Sequence, residues 1–171
     1  HTNSIVREAV YVIRYGITYT TRKVKLPLKF NPKKGALLLC DFSRGFEEPE
    51  MTKSNRPVVV IGVNETQKLV TIVPLSTVEP EPVQPYHFLI PRQSMPKTSA
   101  FLGRDSWLKG NMVYTVGWKR LSPIKMKTAE QGKRDYYREK FGPKTMQKIY
   151  VCMINGMGIN KDLLSKISCE L

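Results

Sequence analysis

Three glutamates, one arginine and two hydroxyl residues stand beside apolar stretches of the sequence. The glutamates lie in the polar stretch GFEEPEMTKSN, which an Arg-Pro pair and the apolar run VVVIG follow directly. The two hydroxyl residues end the apolar run LVTIVPL. Polar residues at the ends of apolar strands are commonly functional, because loops at strand ends carry binding and catalytic groups. The candidate site therefore consists of Glu47, Glu48, Glu50, Arg56, Ser76 and Thr77.

This set contains the groups that cleave an RNA phosphodiester without a metal. The reaction requires an acceptor for the 2′-hydroxyl proton, a group that stabilises the leaving oxygen, and a cation for the crowded phosphorane. A glutamate can accept the proton, Arg56 can stabilise charge through its fork of N–H donors, and Ser76 or Thr77 can orient a phosphate oxygen. The alternative is a solvated ion pair, which loop carboxylates beside an arginine commonly form.

Other catalytic and metal-binding patterns are missing from the sequence. It contains no P-loop, no HExxH motif and no GxSxG nucleophile elbow. His87 is the only histidine besides His1, which disfavours mechanisms with two histidines or a serine–histidine triad and favours a structural role for His87. Cys40, Cys152 and Cys169 are widely spaced, which disfavours a metal site and agrees with a reducing cytoplasm. Cys40 and Cys152 lie in apolar patterns, which indicates core positions for these two. No cofactor is expected.

The middle of the chain predicts a β-structure that would position the candidate site. The runs GALLLCDF, RPVVVIGV, LVTIVPL, PYHFLI and MVYTVGW are short and apolar, and turn residues separate them. About five short strands of this kind indicate a compact barrel or twisted sheet. Two long connections interrupt them, STVEPEPVQP and PRQSMPKTSAFLGRDSWLKGN, and connections of this length are uncommon unless they bind something.

The C-terminal stretch GPKTMQKIYVCMINGMG predicts a helix. Pro143 suits the first turn of a helix, and Gly156 or Gly158 suits its end. Apolar residues recur at intervals of three and four positions, which gives one apolar stripe that can pack on the strands. The first thirty residues are compatible with either a short helix or a hairpin about Gly16.

The positive charge of the chain, formally +14, is unevenly distributed. Residues 1–34 hold eight lysines and arginines against one glutamate, and residues 119–148 hold ten against three acids, whereas residues 35–118 are balanced. Basic flanks suit a polyphosphate partner, although charge that only keeps a protein soluble gives the same pattern. We expect a basic extension over residues 1–32, a folded domain over 33–171 and no membrane association.

The segment WKRLSPIKMKTAEQGKRDYYREKFG mixes aromatic residues with cations. Single-stranded nucleic acid sites combine positive grooves with aromatic side chains on which bases stack. We predict that Lys125, Lys127, Lys133 and Arg134 contact RNA phosphates. The alternative is that the aromatic residues anchor a surface helix to the barrel, and a helix over RDYYREKF could serve both purposes on its two faces.

Four motifs occur in an order that resembles the PemK/MazF-like toxin family. KKGALLLCDFS is a glycine-led strand that ends in an aspartate, and GFEEPEM supplies a G-x-E loop. NRPVVVIGV matches an R-P-hydrophobic strand, and TIVPLST matches the P-[LI]-[ST]-[ST] end of a strand. The resemblance covers about residues 33 to 157, with the later WLKGNM strand entry and the terminal helix. The acidic form of the loop is similar to a sub-branch of the family.

The resemblance implies a mainly β fold, a small SH3-like barrel of five to seven strands with a C-terminal helix, that acts as a homodimer. It implies metal-independent endoribonuclease cleavage of single-stranded RNA at short sequences, which leaves a cyclic phosphate. It also implies neutralisation by a cognate antitoxin whose disordered acidic segment occupies the RNA groove. The basic charge of the chain agrees with both partners, since a positive groove attracts RNA and acidic peptide alike.

Three positions carry over from the catalytic residues of that family. Arg56 corresponds to the arginine of the R-P step, and Glu47 corresponds to the glutamate of the G-x-E loop. Ser76 corresponds to the catalytic hydroxyl, with Thr77 as a neighbour that can substitute for it. The resemblance thus implies a carboxylate and an arginine on either side of one scissile phosphate.

Departures from the family pattern leave other hypotheses open. The loop from Glu47 to Arg56 is longer than in typical members, so Glu48 or Glu50 can take the role of Glu47. Where some members carry Arg-x-Asp, this chain has Lys109-Gly110-Asn111, and an amide cannot titrate although it can bind a phosphate or a base. One alternative is a catalytically inactive module of the same fold that binds nucleic acid or a partner. Another is an unrelated basic barrel of a ribosome or phage assembly.

Overall fold

The computed structural model describes residues 28, 30–98, 101, 104–126 and 135–159. The predicted basic extension lies almost entirely outside these residues, and so do Lys127, Lys133, Arg134 and Cys169. The described residues form seven strands, two short 3-10 helices and one α-helix. The strands and the α-helix are β1 Leu37–Cys40, β2 Arg56–Asn64, β3 Leu69–Ser76, β4 His87–Ile90, β5 Ser106–Lys109, β6 Tyr114–Gly117, β7 Leu121–Pro123 and α1 Pro143–Gly156.

One antiparallel sheet contains all seven strands. Their order is β4-β5-β3-β2-β1-β7, and β6 also pairs with β3, on the stretch that precedes its pairing with β5. At the centre, β2 and β3 form a hairpin that sets Val58 opposite Pro74. Its turn is closed by the side chain of Asn64, whose Oδ1 accepts from the Gln67 N–H at 3.0 Å. The predicted fold class, a mainly β domain of five to seven strands with a C-terminal helix, is confirmed, and the described residues form seven strands.

The sheet is buried on both faces, because β1, β2 and β3 are apolar at nearly every position and alternate side chains point to opposite faces. One face packs against α1, and we call this cluster the helix-side core. Its buried members include Leu37, Val59, Val73, Leu75, Leu108, Met146, Ile149, Cys152 and Met153.

The opposite face of the sheet packs against the connection between β1 and β2, and we call this cluster the loop-side core. Phe42 and Met51 from that connection are 0% and 8% exposed, so the connection covers this face of the sheet with apolar side chains. The buried members of this core include Leu38, Cys40, Phe42, Met51, Val58, Val60, Val70, Ile72, Val116 and Leu121.

Helix α1 confirms the predicted helix. Pro143 occupies its first turn, and Gly158, with φ +70°, follows its end in the left-handed conformation that favours glycine. Cys152 is buried on its apolar stripe, as the sequence predicts, and burial raises the pKa of the Cys152 thiol. Among the described residues, no helix has the length and apolar character that crossing a membrane requires.

Three parts of the fold differ from the sequence prediction. Strand β5 lies inside the stretch interpreted as a long connection, and β7 lies inside the basic aromatic segment. The predicted surface helix over RDYYREKF is wrong for residues 135–141, which contain no helix and form isolated bridges from Tyr136 to Lys125 and from Lys140 to Ala36. Backbone pairing explains the difference, since the Tyr137 N–H donates to the Ile124 carbonyl at 3.0 Å while its ring packs on the helix-side core.

Two glycines allow the end of α1 to lie directly on the turn between β5 and β6. A Cβ added at Gly110 would stand 2.5 Å from the Cys152 carbonyl oxygen, and one at Gly156 would stand 2.6 Å from the Asn111 nitrogen. Both contacts are with backbone atoms, which cannot rotate away. The helix and the sheet are therefore fixed to each other at this point.

We expect Gly110→Ala and Gly156→Ala each to lower the free energy of unfolding by about 1–3 kcal/mol or more, as overpacked sites do. Gly117→Ala is the matched control, because a Cβ there meets nothing within 4 Å. Chemical denaturation of the three variants measures the difference. Equal stability of all three would contradict the close approach of α1 to the β5–β6 turn.

Candidate active site

Arg56 begins β2 and places a guanidinium at the rim of the sheet. Its backbone lies opposite Cys40 of β1, and its side chain is half-buried. Nη1 donates to the Leu75 carbonyl at 3.3 Å, which ties the guanidinium to the end of β3. Nε is buried and has no hydrogen-bond partner among the described residues. The guanidinium is thus held in place with part of its donor capacity unused.

Ser76 ends β3 on the same face of the sheet as Arg56. Arg56 and Ser76 each lie two residues beyond the Val58–Pro74 pair of the β2–β3 hairpin. Because side chains alternate between the faces of a sheet, both residues project to the face of that pair. Ser76 is 8% exposed, and its Oγ accepts from the Val78 N–H at 3.1 Å, which leaves its own hydroxyl hydrogen free to donate. The structure therefore brings the predicted cation and the predicted hydroxyl together.

The environment of Arg56 favours an anionic ligand. Burial lowers the pKa of the Arg56 guanidinium below its ordinary value, because desolvation penalises the charged form. A bound anion would offset that penalty and would accept from Nε, which has no hydrogen-bond partner among the described residues. A phosphate group suits this guanidinium, because it has several acceptor oxygens and carries one or more negative charges.

The acidic loop does not place a carboxylate on Arg56. Glu47, Glu48 and Glu50 are all exposed, and none of them forms an ion pair or hydrogen bond with Arg56 in the described part of the chain. Glu50 turns back on the loop instead, since its carboxylate accepts from the Glu47 N–H at 3.1 Å. The carboxylates of Glu47 and Glu48 are exposed and have no partner among the described residues, so they are accessible to a ligand.

Two residues that the sequence analysis does not select hold this loop in place. Arg120 donates from Nη1 to the Asp41 carbonyl at 3.1 Å and lies over the Phe46 ring, 5.0 Å from its centroid. Tyr114 accepts from the Met51 N–H at 3.2 Å through its hydroxyl. Its ring packs edge-on against Phe46, 5.5 Å between centroids. The signal in the sequence is weak, because Arg120 belongs to a segment whose cations look like RNA contacts.

The remaining residues of the candidate site spread along β5. Trp107 lies opposite Ser76, and Lys109 lies two residues further on the same face, both half-buried. Lys109 also lies opposite His87 of β4. Asn111 is exposed in the turn after β5, against the end of α1, and Thr77 is exposed directly after β3. Lys109 is therefore a cation beside the rim, on the same face as Ser76. Asn111 lies beyond the end of β5 and is farther from Arg56.

Lys125 stands apart from this group. It is exposed beyond β7, at the opposite edge of the sheet from β4, where it forms the isolated bridge to Tyr136. The other predicted phosphate contacts, Lys127, Lys133 and Arg134, lie outside the described residues. Within the described ranges, no group of three or more histidine, cysteine or acidic side chains is placed to hold a metal ion.

A protein-family model matches the chain over more than half of its length. The family model of the PemK-like, MazF-like toxin of type II toxin–antitoxin systems matches residues 33–137. The chain belongs to this family. The matched region contains the acidic loop, Arg56, Ser76 and β5, so the geometry above lies within the family's shared domain.

Two solved toxin structures resemble this PemK/MazF-like chain. An endoribonuclease in complex with its cognate antitoxin, from a mycobacterial species, has 19% identity and a TM-score of 0.46 over 75% of this chain and 97% of that chain. The Mycobacterium tuberculosis toxin MazF-mt6 has 12% identity and a TM-score of 0.43 over 73% of this chain and 99% of that chain. No curated protein matches the sequence.

His87 provides a test of the electrostatics beside β5. Its Nδ1 accepts from the Gln84 N–H at 3.0 Å, in accord with the predicted structural role. Burial, and then the charge of Lys109, lower the pKa of His87 from its ordinary 6.5. Because the folded state prefers the neutral imidazole, this contribution to stability is present above about pH 6.5 and is lost as the pH falls through the folded pKa.

We expect the NMR titration of the His87 ring in the Lys109→Gln variant to give a pKa above that of the parent chain but still below 6.5. The shift is partial because burial is the larger cause and remains. Lys97→Gln removes an exposed lysine elsewhere and is the control. A His87 pKa that does not change in Lys109→Gln would contradict the proximity of the two side chains.

Proposed function

We propose that the protein is a toxin-type endoribonuclease that cleaves single-stranded RNA at short sequences without a metal. A cognate antitoxin neutralises it. The observation that carries the proposal is the position of Arg56 beside Ser76, on one face of the sheet at the ends of two adjacent strands. Its guanidinium is half-buried, and its buried Nε has no hydrogen-bond partner among the described residues. Membership of the PemK/MazF-like toxin family supports the same activity.

The proposed reaction is an attack of the 2′-oxygen on the adjacent phosphorus. The P–O2′ bond forms, the P–O5′ bond breaks, and the leaving 5′-oxygen takes up a proton from water, so the products are a 2′,3′-cyclic phosphate and a 5′-hydroxyl. Arg56 donates to the non-bridging oxygens and stabilises the charge that builds on the phosphorane. Ser76 donates its hydroxyl hydrogen to a phosphate oxygen and orients the group, with Thr77 as the exposed neighbour that can substitute.

The proton of the 2′-hydroxyl goes to a carboxylate of the acidic loop. Glu47 is the first candidate, and Glu48 is the second, because neither is engaged by another described residue. Glu50 is a poorer candidate, since its carboxylate is already bound to the Glu47 N–H. The loop must move toward Arg56 when RNA binds, and apo hydrogen bonds of catalytic groups commonly tighten only in the complex.

The proposed protein partner is an antitoxin with a disordered acidic segment. A formal charge of +14 and a rim that contains Arg56 and Lys109 attract a polyanionic peptide by the same electrostatics that attract RNA. We propose that the chain acts as a homodimer, as the resemblance implies. Competition between RNA and the acidic segment for Arg56 would then account for neutralisation.

The test is cleavage of a long single-stranded RNA in the presence of EDTA. We expect discrete fragments from the parent chain and a loss of at least about 100-fold in rate for Arg56→Ala, because a preorganised charge-stabilising donor has an effect of that size. Arg92→Ala is the matched control, since it removes an exposed arginine. Binding without cleavage, unchanged by Arg56→Ala, would favour the inactive binding module instead.

Ser76→Ala should weaken cleavage less than Arg56→Ala does. A hydroxyl orients one oxygen, whereas the cation stabilises charge in the transition state. Single-turnover rates of the two variants on the same RNA give the order directly. An equal or larger loss in Ser76→Ala would contradict the assigned roles, and an added loss in Ser76→Ala/Thr77→Ala would show substitution by Thr77.

A further inference from the structure

Five exposed lysines gather on the side of the molecule that carries α1. Lys140 pairs through its backbone with Ala36, and a Cβ added at Gly35 would stand 3.6 Å from the Lys140 Cβ. Lys34 reaches the helix itself, because its Nζ lies 5.4 Å from the centroid of the Tyr150 ring. We call this group the helix-side basic surface: Lys33, Lys34, Lys140, Lys144 and Lys148, all exposed.

The positive charges of this surface are not neutralised by the fold. None of the five lysines forms an ion pair with a carboxylate within the described ranges. Two of them lie over aromatic rings instead, Lys34 over Tyr150 and Lys148 over Phe88, the latter with Nζ 5.6 Å from the ring centroid. Lys144 and Lys148 are one helical turn apart and therefore share a face of α1.

This surface is separate from the candidate active site. Helix α1 packs on the helix-side core through Met146 and Ile149. Arg56 and Ser76 share the opposite face of the sheet, the face of Val58 and the loop-side core. The sheet thus lies between the helix-side basic surface and the guanidinium.

We propose that the helix-side basic surface binds the phosphate backbone of single-stranded RNA outside the segment that is cleaved. The proposal rests on the proposed function for one point, that the bound nucleic acid is RNA. The surface itself is defined by the charges of its lysines. Several lysines in a row release counterions when they contact successive phosphates, which makes binding favourable and salt-dependent. The effect is to hold a long RNA at a second place on the molecule.

Single-stranded RNA fits this surface better than an acidic peptide does. Sites for single strands interleave cations with aromatic side chains, and here Tyr150 and Phe88 lie directly beneath two of the ammonium groups. A lysine binds a phosphate as a compact point charge that imposes no fixed geometry, which suits the successive phosphates of a flexible strand. All five members of the surface are lysines.

The test compares the full chain with the double variant Lys144→Gln/Lys148→Gln. Both positions are exposed, and the double variant Lys68→Gln/Lys97→Gln removes the same charge from other exposed lysines as a control. The probes are 2′-O-methyl RNAs of about 6 and about 30 nucleotides, lengths that a short groove does and does not accommodate. They cannot be cleaved by 2′-oxygen attack, so binding is measured apart from catalysis.

We expect the Lys144/Lys148 variant to bind the long RNA several-fold more weakly than the control does and the short RNA equally well. The slope of log affinity against log salt for the long RNA should fall by about 0.7 for each lost phosphate contact. Equal affinity of both double variants for the long RNA would overturn the proposal. An equal loss for both lengths would also overturn it, because the lysines would then belong to the cleavage groove.

Two further outcomes distinguish this proposal from an acidic-peptide surface and from the proposed nuclease function. Loss of poly-glutamate binding with unchanged RNA binding would identify an acidic-peptide surface and overturn the RNA proposal. Length-dependent binding that needs Lys144 and Lys148, in a chain that cleaves no RNA in the EDTA assay, would support the surface while the proposed nuclease function fails alone.

Discussion

The hydrogen bond from Arg56 to the Leu75 carbonyl fixes the position on which the chemistry depends. A half-buried guanidinium loses hydration, and this desolvation lowers the pKa of Arg56. The hydrogen bond to one neutral carbonyl offsets only part of the lost hydration, and Nε is buried without a partner among the described residues. Such an arrangement stabilises the fold little and favours an anion strongly, which is the balance that a phosphate-binding site requires.

The sheet explains why this charge can sit at its rim. Residues of β1, β2 and β3 bury both faces, so the interior has no room for a charged group, and the first position of β2 is the place where a long side chain can leave the core. The connection between β1 and β2, held by Arg120 and Tyr114, carries exposed carboxylates on the face of the sheet to which Arg56 belongs. Helix α1 closes the other face and turns its lysines outward, away from the rim.

The sequence predicts the strands of the central sheet and α1 because their signals are local. Apolar β-branched runs bounded by turns define β2 and β3, and Pro143 with an apolar stripe defines α1. Strands β5 and β7 escape detection because each is short and carries charged or polar residues, so only pairing with β3 or β1 makes it a strand. The helix predicted around Tyr136 and Tyr137 is wrong for the same reason. Backbone pairing with residues distant in sequence outweighs the local helical pattern.

The same distinction applies to the candidate site. Arg56 and Ser76 can be placed together from the sequence, because the ends of a hairpin must meet whatever the rest of the chain does. The positions of Glu47 and Glu48 depend instead on Arg120, which lies more than seventy residues away in the chain, and no local pattern contains that contact. Side chains held by distant partners are the part of a site that spacing alone leaves undetermined.

The most direct measurement of the central claim is the NMR signal of the Arg56 Nε–H group during titration with an uncleavable 2′-O-methyl RNA. The Arg56→Lys variant assigns the signal by its loss. If the unpaired donor of Arg56 binds a backbone phosphate, this signal shifts and saturates with the binding curve, while the signal of Arg92 stays in place. An Arg56 signal that does not move when RNA is fully bound would contradict the phosphate-binding role.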